Sequence, residues 1–165
     1  MRSNLKKEEL SNVSLLIFLL VNFPQIFTIN YNLGQGKIIF SFMLKVNITR
    51  TEYIEFRKEF YSSVKAYNEL LNIEGIPRLK RRNVKSWTLL QVIFKRKSID
   101  VEEVNLVSSL ILKWFKNNII FDVRNDNSLK TNGEEFIEYL LPQKKQSKEN
   151  LLAFREAGKV YVFDK

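Results

Sequence analysis

The sequence of 165 residues contains no cysteine and no histidine. Without cysteine there is no disulfide, no thiolate nucleophile and no cysteine zinc site, and without histidine the most common general base and metal ligand is also missing. Enzymes that depend on either side chain are therefore excluded. Proton transfer by carboxylates stays open, because the chain has 18 Asp and Glu residues.

Glycine and proline are also scarce, with 5 and 3 residues, while 45% of the chain is hydrophobic and 27% is charged. This balance is typical of a folded domain. We expect an apolar helix over residues 1–24, docked on the core or facing a partner, and a single α/β domain over residues 25–165. The apolar run from Val13 to Val21 is shorter than the roughly 20 residues of a membrane-spanning helix. A membrane role is therefore disfavoured, and the expected location is intracellular.

The net charge of +9 is concentrated in one segment. The window from Gly75 to Ile99 has no acidic residue and eight basic ones: Arg78, Lys80, Arg81, Arg82, Lys85, Lys95, Arg96 and Lys97. Since the whole chain has 27 basic and 18 acidic residues, the remainder has 27 − 8 = 19 basic against 18 acidic. The chain is thus a nearly neutral domain with one basic segment.

Local patterns predict several elements. Residues 27–33 and 38–46 alternate between apolar and polar, and Gly34-Gln35-Gly36 between them offers two glycines that can adopt positive φ, which predicts a β-hairpin. Thr49 and Glu52 have the spacing of a capping box, and an apolar stripe after them predicts a helix whose aromatic residues pack in the core. Asp100 and Glu103 predict a second capped helix.

The predicted fold class is α/β or α+β. After the N-terminal helix, the order β-hairpin-α-β-α-β-α gives a mixed sheet of four to five strands packed by three or four helices. Its later elements are a strand at Trp87–Phe94 that is covered on both faces, a strand at Ile119–Val123, a short helix from Thr131, a helix at Ser147–Ala157 and a strand at Val160–Phe163.

This order of elements is similar to that of the STAS domains of anti-sigma-factor antagonists. In those domains a phosphorylated serine near the start of the second helix acts as a switch. The equivalent segment here, Ile99–Glu103, contains an aspartate and no serine. The resemblance therefore implies a protein-interaction domain without phosphoswitching.

The basic segment provides the candidate binding site. Its first cluster is predicted to lie exposed in a loop between a helix and a strand: Arg78, Lys80, Arg81, Arg82 and Lys85. Lys95 follows at the far end of that strand, about 33 Å from Lys85 at about 3.3 Å per residue, so only the first cluster is taken as a site. Such cations suit phosphate contacts, each of which changes the salt dependence of binding by about one unit.

The leading hypothesis is a non-enzymatic small basic protein that contacts the RNA or DNA backbone, alone or within a larger assembly. No cofactor, metal or catalytic residue is assigned. The alternative for the first basic cluster is a solvated loop that increases solubility or binds an acidic protein partner. A second hypothesis is a regulatory or structural protein that binds a partner or itself through residues 4–24.

A third hypothesis is a metal-dependent phosphodiesterase at the end of the strand that contains Ile119. It is built on Asp122 and Asp126, with Arg124 between them, and on Lys130 and Glu134 or Glu135. Because the spacing of these residues matches no known motif, a solvated loop is the favoured interpretation of this segment.

Overall fold

A computed structural model describes residues 2–96, 98–121 and 150–164, with side chains from residue 11 onward. Within these residues the chain is α+β. The helices are α1 (Arg2–Asn22), α2 (Arg50–Leu71) and α3 (Val101–Phe115). The strands are β1 (Thr28–Asn32), β2 (Lys37–Leu44), β3 (Arg78–Val84), β4 (Trp87–Lys95), β5 (Asn150–Glu156) and β6 (Lys159–Asp164).

The six strands form one sheet in the order β3-β4-β2-β1-β5-β6, and each neighbouring pair is antiparallel. The predicted α+β class is confirmed, whereas the predicted mixed sheet of four to five strands fits the six antiparallel strands only roughly. Two segments account for the difference, because the sequence predicts a loop over residues 78–85 and a helix over residues 147–157. Both supply strands, and each pairs with its neighbour in the chain through a short turn.

The strand β3 was missed because cations occupy most of its positions. Its exposed Arg78 and Lys80 alternate with the buried Leu79, a period of two that is typical of an edge strand with one buried side. Val84 pairs with Trp87, which leaves a two-residue turn that starts at Lys85, whose φ is +54°. The basic segment therefore begins with a hairpin.

The last hairpin replaces the predicted helix at Ser147–Ala157. Glu156 pairs with Lys159, and the two residues between them, Ala157 and Gly158, have φ values of +50° and +72°. Positive φ at both central residues is the geometry of a type I′ turn, which matches the twist of paired strands. Gly158 thus closes a hairpin and does not end a helix, and the predicted strand at Val160–Phe163 lies within β6.

Several local predictions were confirmed. The N-terminal helix and the β1–β2 hairpin are present, with Gly36 at a φ of +56° in the turn. Thr49 and Glu52 form the capping box of α2. Asp100 caps α3, but Glu103 does not complete a box there, because its carboxylate instead binds Arg96.

The described helices pack on one face of the sheet, which we call the helix face. Leu16, Leu19 and Leu20 of α1 lie in the same buried cluster as Phe56 of α2 and Ile111 of α3. The strand side chains of this cluster occupy alternate positions along each strand and therefore lie on the same face of the sheet. They are Ile29, Tyr31, Ile38, Phe40, Phe42, Leu44, Leu79, Leu90, Val92, Phe94, Leu151 and Ala153.

Strand residues at the intervening positions lie on the opposite face, which we call the outer face. A smaller buried cluster includes Met43, Val84, Trp87 and Leu89 of this face. β4 is therefore largely buried on both sides, as predicted from its continuous apolar run. Among the described residues, no helix is both long and apolar enough to cross a membrane.

The remaining predicted elements differ or lie outside the described residues. Ile119 forms only an isolated bridge with Leu44, and Val123 and the helix from Thr131 fall outside the described ranges. The order of elements departs from the STAS-like one, because β3 precedes β4 and a hairpin follows α3 in the described part of the chain.

Candidate nucleic-acid interface

The alternation of β3 divides the five predicted site residues between different places. Arg78, Lys80 and Arg82 lie on the outer face and are exposed, while Arg81 lies on the helix face and is half-buried. Lys85 occupies the turn after the strand, where its carbonyl accepts a hydrogen bond from Asn47 Nδ2. Three of the five candidates therefore share one surface.

Arg81 holds the start of α2 against the sheet. Its Nη1 donates to the carbonyls of Ile48, at 3.3 Å, and Thr49, at 3.1 Å, and its guanidinium lies 4.8 Å from the centre of the Tyr53 ring. Burial raises the pKa of the Tyr53 hydroxyl, and the positive charges of Arg57 and Arg81 act in the opposite direction. Because these contacts occupy its guanidinium, Arg81 is a structural residue.

Arg96 is held in a similar way on the helix face. Its Nη1 lies 2.6 Å from Glu103 Oε2, its Nη2 donates to Glu103 Oε1 and to the Gly75 carbonyl, and its guanidinium lies over the Phe94 ring. The Glu103 side chain is only 1% exposed. Arg96 therefore neutralises a buried carboxylate, and we group it with Arg81 as the anchored arginines.

Lys95 joins the first cluster through the register of the sheet. Arg78 pairs with Ile93, so Lys95 lies two residues further along the neighbouring strand on the same face, and it pairs in turn with Lys37 of β2. Lys85 and Lys95 do lie at opposite ends of β4, as predicted. They are nevertheless linked, because β3 runs back along β4 and places Arg78 near Lys95.

We call the resulting set the basic stripe: Arg78, Lys80 and Arg82 of β3, Lys95 of β4 and Lys37 of β2. Along β3 its side chains are spaced by about 6.6 to 6.8 Å, twice the rise of one strand residue. The basic stripe thus has an ordered spacing on a rigid sheet. Lys97 lies outside the described residues.

Among the described residues, the strands that carry and adjoin the basic stripe contain no opposing charge. The four adjacent strands β3, β4, β2 and β1 contain neither aspartate nor glutamate in their sequences. The carboxylates of Glu52, Glu55, Glu59 and Glu69 lie instead on α2, in the helix layer. Within the described residues, this separation leaves only cations as the charged side chains of β1 to β4, and clustered positive charge attracts anionic ligands.

Part of this surface could have been found in the sequence. Buried Leu79 and Val84 bracket the cations, and their positions fit a hairpin with Trp87. The contribution of Lys37 had no local signal, because it is 58 positions from Lys95 in the chain, its partner across the sheet.

The residues of the phosphodiesterase hypothesis, Asp122, Arg124, Asp126, Lys130, Glu134 and Glu135, all lie outside the described residues. In the part of the chain that is described, no group of three or more acidic side chains is placed to hold a metal ion. No protein-family model, curated protein or solved structure matches this chain. Function is therefore inferred from the geometry and charge of the basic stripe.

Proposed function

We propose that the protein is a non-enzymatic binding protein that contacts the phosphate backbone of nucleic acid through the basic stripe. The observation that supports this proposal is the one-sidedness of the charge. Five cations share the outer face, and the four strands that carry or adjoin them contain no carboxylate. A polyanion can therefore approach this face without meeting a fixed negative charge on those strands.

The expected binding is electrostatic and independent of sequence. Each phosphate that a cation neutralises releases condensed counterions, so the logarithm of the association constant falls with the logarithm of salt concentration by about 0.7 per contact for single strands and about 0.9 for duplex DNA. Contacts to phosphates position a nucleic acid without reading its bases. Similar affinity for unrelated sequences of one length is therefore expected.

The same cations have a second physical use, because β3 is an edge strand. Charged residues on an edge discourage pairing with the edge of another molecule. If edge protection were their whole role, neutral substitutions would promote self-association and leave oligonucleotide binding unchanged. The two roles therefore predict different results for one set of variants.

The test is the variant Arg78→Gln, Lys80→Gln and Arg82→Gln, titrated with a labelled 12-nucleotide single strand at several salt concentrations by fluorescence anisotropy. Loss of three phosphate contacts should weaken binding and lower the salt slope by about 2. The matched control is Arg50→Gln, Lys58→Gln and Lys116→Gln, which removes the same net charge from exposed residues of the helix layer. Equal losses in both variants would refute a localised site.

A second candidate function, binding of another protein or of a second copy, is favoured by the side of α1 that faces away from the core. Ile17, Phe18 and Val21 are exposed there. Deleting α1 would not test this, because its leucines belong to the main core. Sedimentation of the variant Ile17→Gln, Phe18→Gln and Val21→Gln tests binding of a second copy, and an unchanged assembly state would exclude this surface as a contact between copies.

A further inference from the structure

Three aromatic side chains form a stack at the β5–β6 end of the sheet. The ring of Phe154 stacks with the rings of Tyr161 and Phe163, with both centroid distances at 5.6 Å and interplanar angles of 27° and 13°. Tyr161 is 37% exposed and Phe163 is 48% exposed. We call these three residues the aromatic platform.

The register places the aromatic platform on the same face as the basic stripe. One row of paired residues crosses the sheet on the outer face: Lys80, Gln91, Ser41, Thr28, Phe154 and Tyr161. The middle of this row is uncharged, and Ser41 and Thr28 are buried. The accessible groups of the row are therefore at its two ends, cationic at β3 and aromatic at β6.

The two ends are separated by a distance that an oligonucleotide can span. Five strand spacings of about 4.8 Å place β6 about 24 Å from β3. Proteins that bind single strands without sequence preference combine a positive surface for the backbone with aromatic rings for the bases, over about 4 to 16 nucleotides. The outer face contains both of these components.

We propose that the aromatic platform stacks unpaired nucleobases, so that the ligand of the outer face is single-stranded nucleic acid. This inference rests on the proposed function, because the basic stripe supplies the attraction for the backbone. In a duplex the faces of the bases are covered by their neighbours, so stacking on exposed rings requires an unpaired strand. A single strand therefore uses both ends of the face, whereas a duplex uses only the basic stripe.

The experiment compares three ligands of one length: a 12-nucleotide single strand, the same strand without bases, and the duplex. The protein variant is Tyr161→Leu and Phe163→Leu in the full chain, which keeps apolar bulk on β6 and removes the ring faces. Binding of the single strand should weaken by about 5- to 150-fold for each stacked base. Binding of the abasic strand should not change, because its phosphates meet the same cations.

Two further variants make the result specific. Ile54→Ala and Leu70→Ala remove exposed apolar side chains of α2 and should leave all three affinities unchanged. Tyr161→Phe keeps a ring at the same place and should retain nearly full affinity for the single strand. If the hydroxyl group of Tyr161 were responsible for binding, this variant would instead lose affinity.

The outcomes separate the two proposals. Base stacking is refuted if the leucine variant binds the single strand as tightly as the wild type does. It is also refuted if the variant loses as much affinity for the abasic strand as for the single strand. In both cases the proposal of phosphate binding by the basic stripe stands. If the wild-type protein binds none of the three ligands in a salt-dependent way, both proposals fail. If the leucine variant instead changes only the sedimentation of the protein, the rings belong to a protein interface.

Discussion

The anchored arginines and all residues of the basic stripe except Lys37 come from one basic segment, yet the two groups have opposite surroundings. Arg81 and Arg96 lie on the helix face, where their guanidinium groups bind carbonyls, aromatic rings and the buried Glu103. Residues of the stripe such as Lys80 and Lys95 lie exposed on the outer face. Strand alternation alone separates the two groups, so the net charge of a segment does not measure the charge available to a ligand.

The chemistry of each group suits its surroundings. A guanidinium has several donors in a fixed plane, which allows Arg96 to contact both oxygens of Glu103 and Arg81 to reach two carbonyls. Exposed cations such as Lys80 and Lys95 can exchange water and counterions for phosphates. The comparison therefore predicts that substitutions in the first group change stability and that substitutions in the second group change binding.

The largest expected effect on stability is that of Arg96→Ala. It removes the partner of a carboxylate that is 1% exposed, and breaking such a buried pair costs about 3–5 kcal/mol of the free energy of unfolding. Urea denaturation of the variant measures this loss. Arg96→Met combined with Glu103→Leu should recover most of it, because the buried charge is then absent. Equal stability of the single and double variants would contradict the structural role of the pair.

A smaller effect is expected for Arg81→Ala. Loss of two hydrogen bonds to carbonyls and of the contact with the Tyr53 ring should lower the free energy of unfolding by about 1–2 kcal/mol. Removing this positive charge should also raise the pKa of the Tyr53 hydroxyl further, because Arg81 favours its ionised form. Absorbance titration at alkaline pH measures that shift.

Arg81→Lys is the control, because it keeps the charge but cannot reproduce the planar contacts. It should retain much of the effect on the pKa of Tyr53 and lose part of the stability. If Arg81→Ala instead lowered the salt slope of oligonucleotide binding, Arg81 would contact phosphate and would belong to the basic stripe, not to the anchored arginines.

The sequence predicts the elements whose signals are local. The β1–β2 hairpin follows from alternation around Gly34-Gln35-Gly36, and the start of α2 follows from the spacing of Thr49 and Glu52. Each of these signals lies within a few residues, where backbone geometry and side-chain hydrogen bonds determine the structure. The helix predicted over residues 1–24 is likewise present as α1, Arg2–Asn22.

The sequence does not predict the features that depend on distant pairing. β3 was interpreted as a loop because cations hide its alternation, and its strand character follows from pairing with β4. Three of the five candidate site residues share the outer face, and Lys37 and Lys95 complete the stripe through the register of β2 and β4. Such proximity has no signature in sequence spacing, so the stripe could be defined only from the sheet.

The smallest effect on stability, and the sharpest test of the comparison, is expected for Lys80→Gln. Lys80 is exposed on the outer face next to Arg81, so the two neighbours form a matched pair with opposite expected behaviour. The free energy of unfolding should change by no more than about 0.5 kcal/mol, as for ordinary surface substitutions. The salt slope of single-strand binding should fall by about 0.7, the value for one phosphate contact. Urea denaturation and anisotropy titration on the same preparation measure both quantities. A stable variant with an unchanged slope would show that Lys80 does not contact phosphate, and self-association of that variant would then assign Lys80 to protection of the β3 edge.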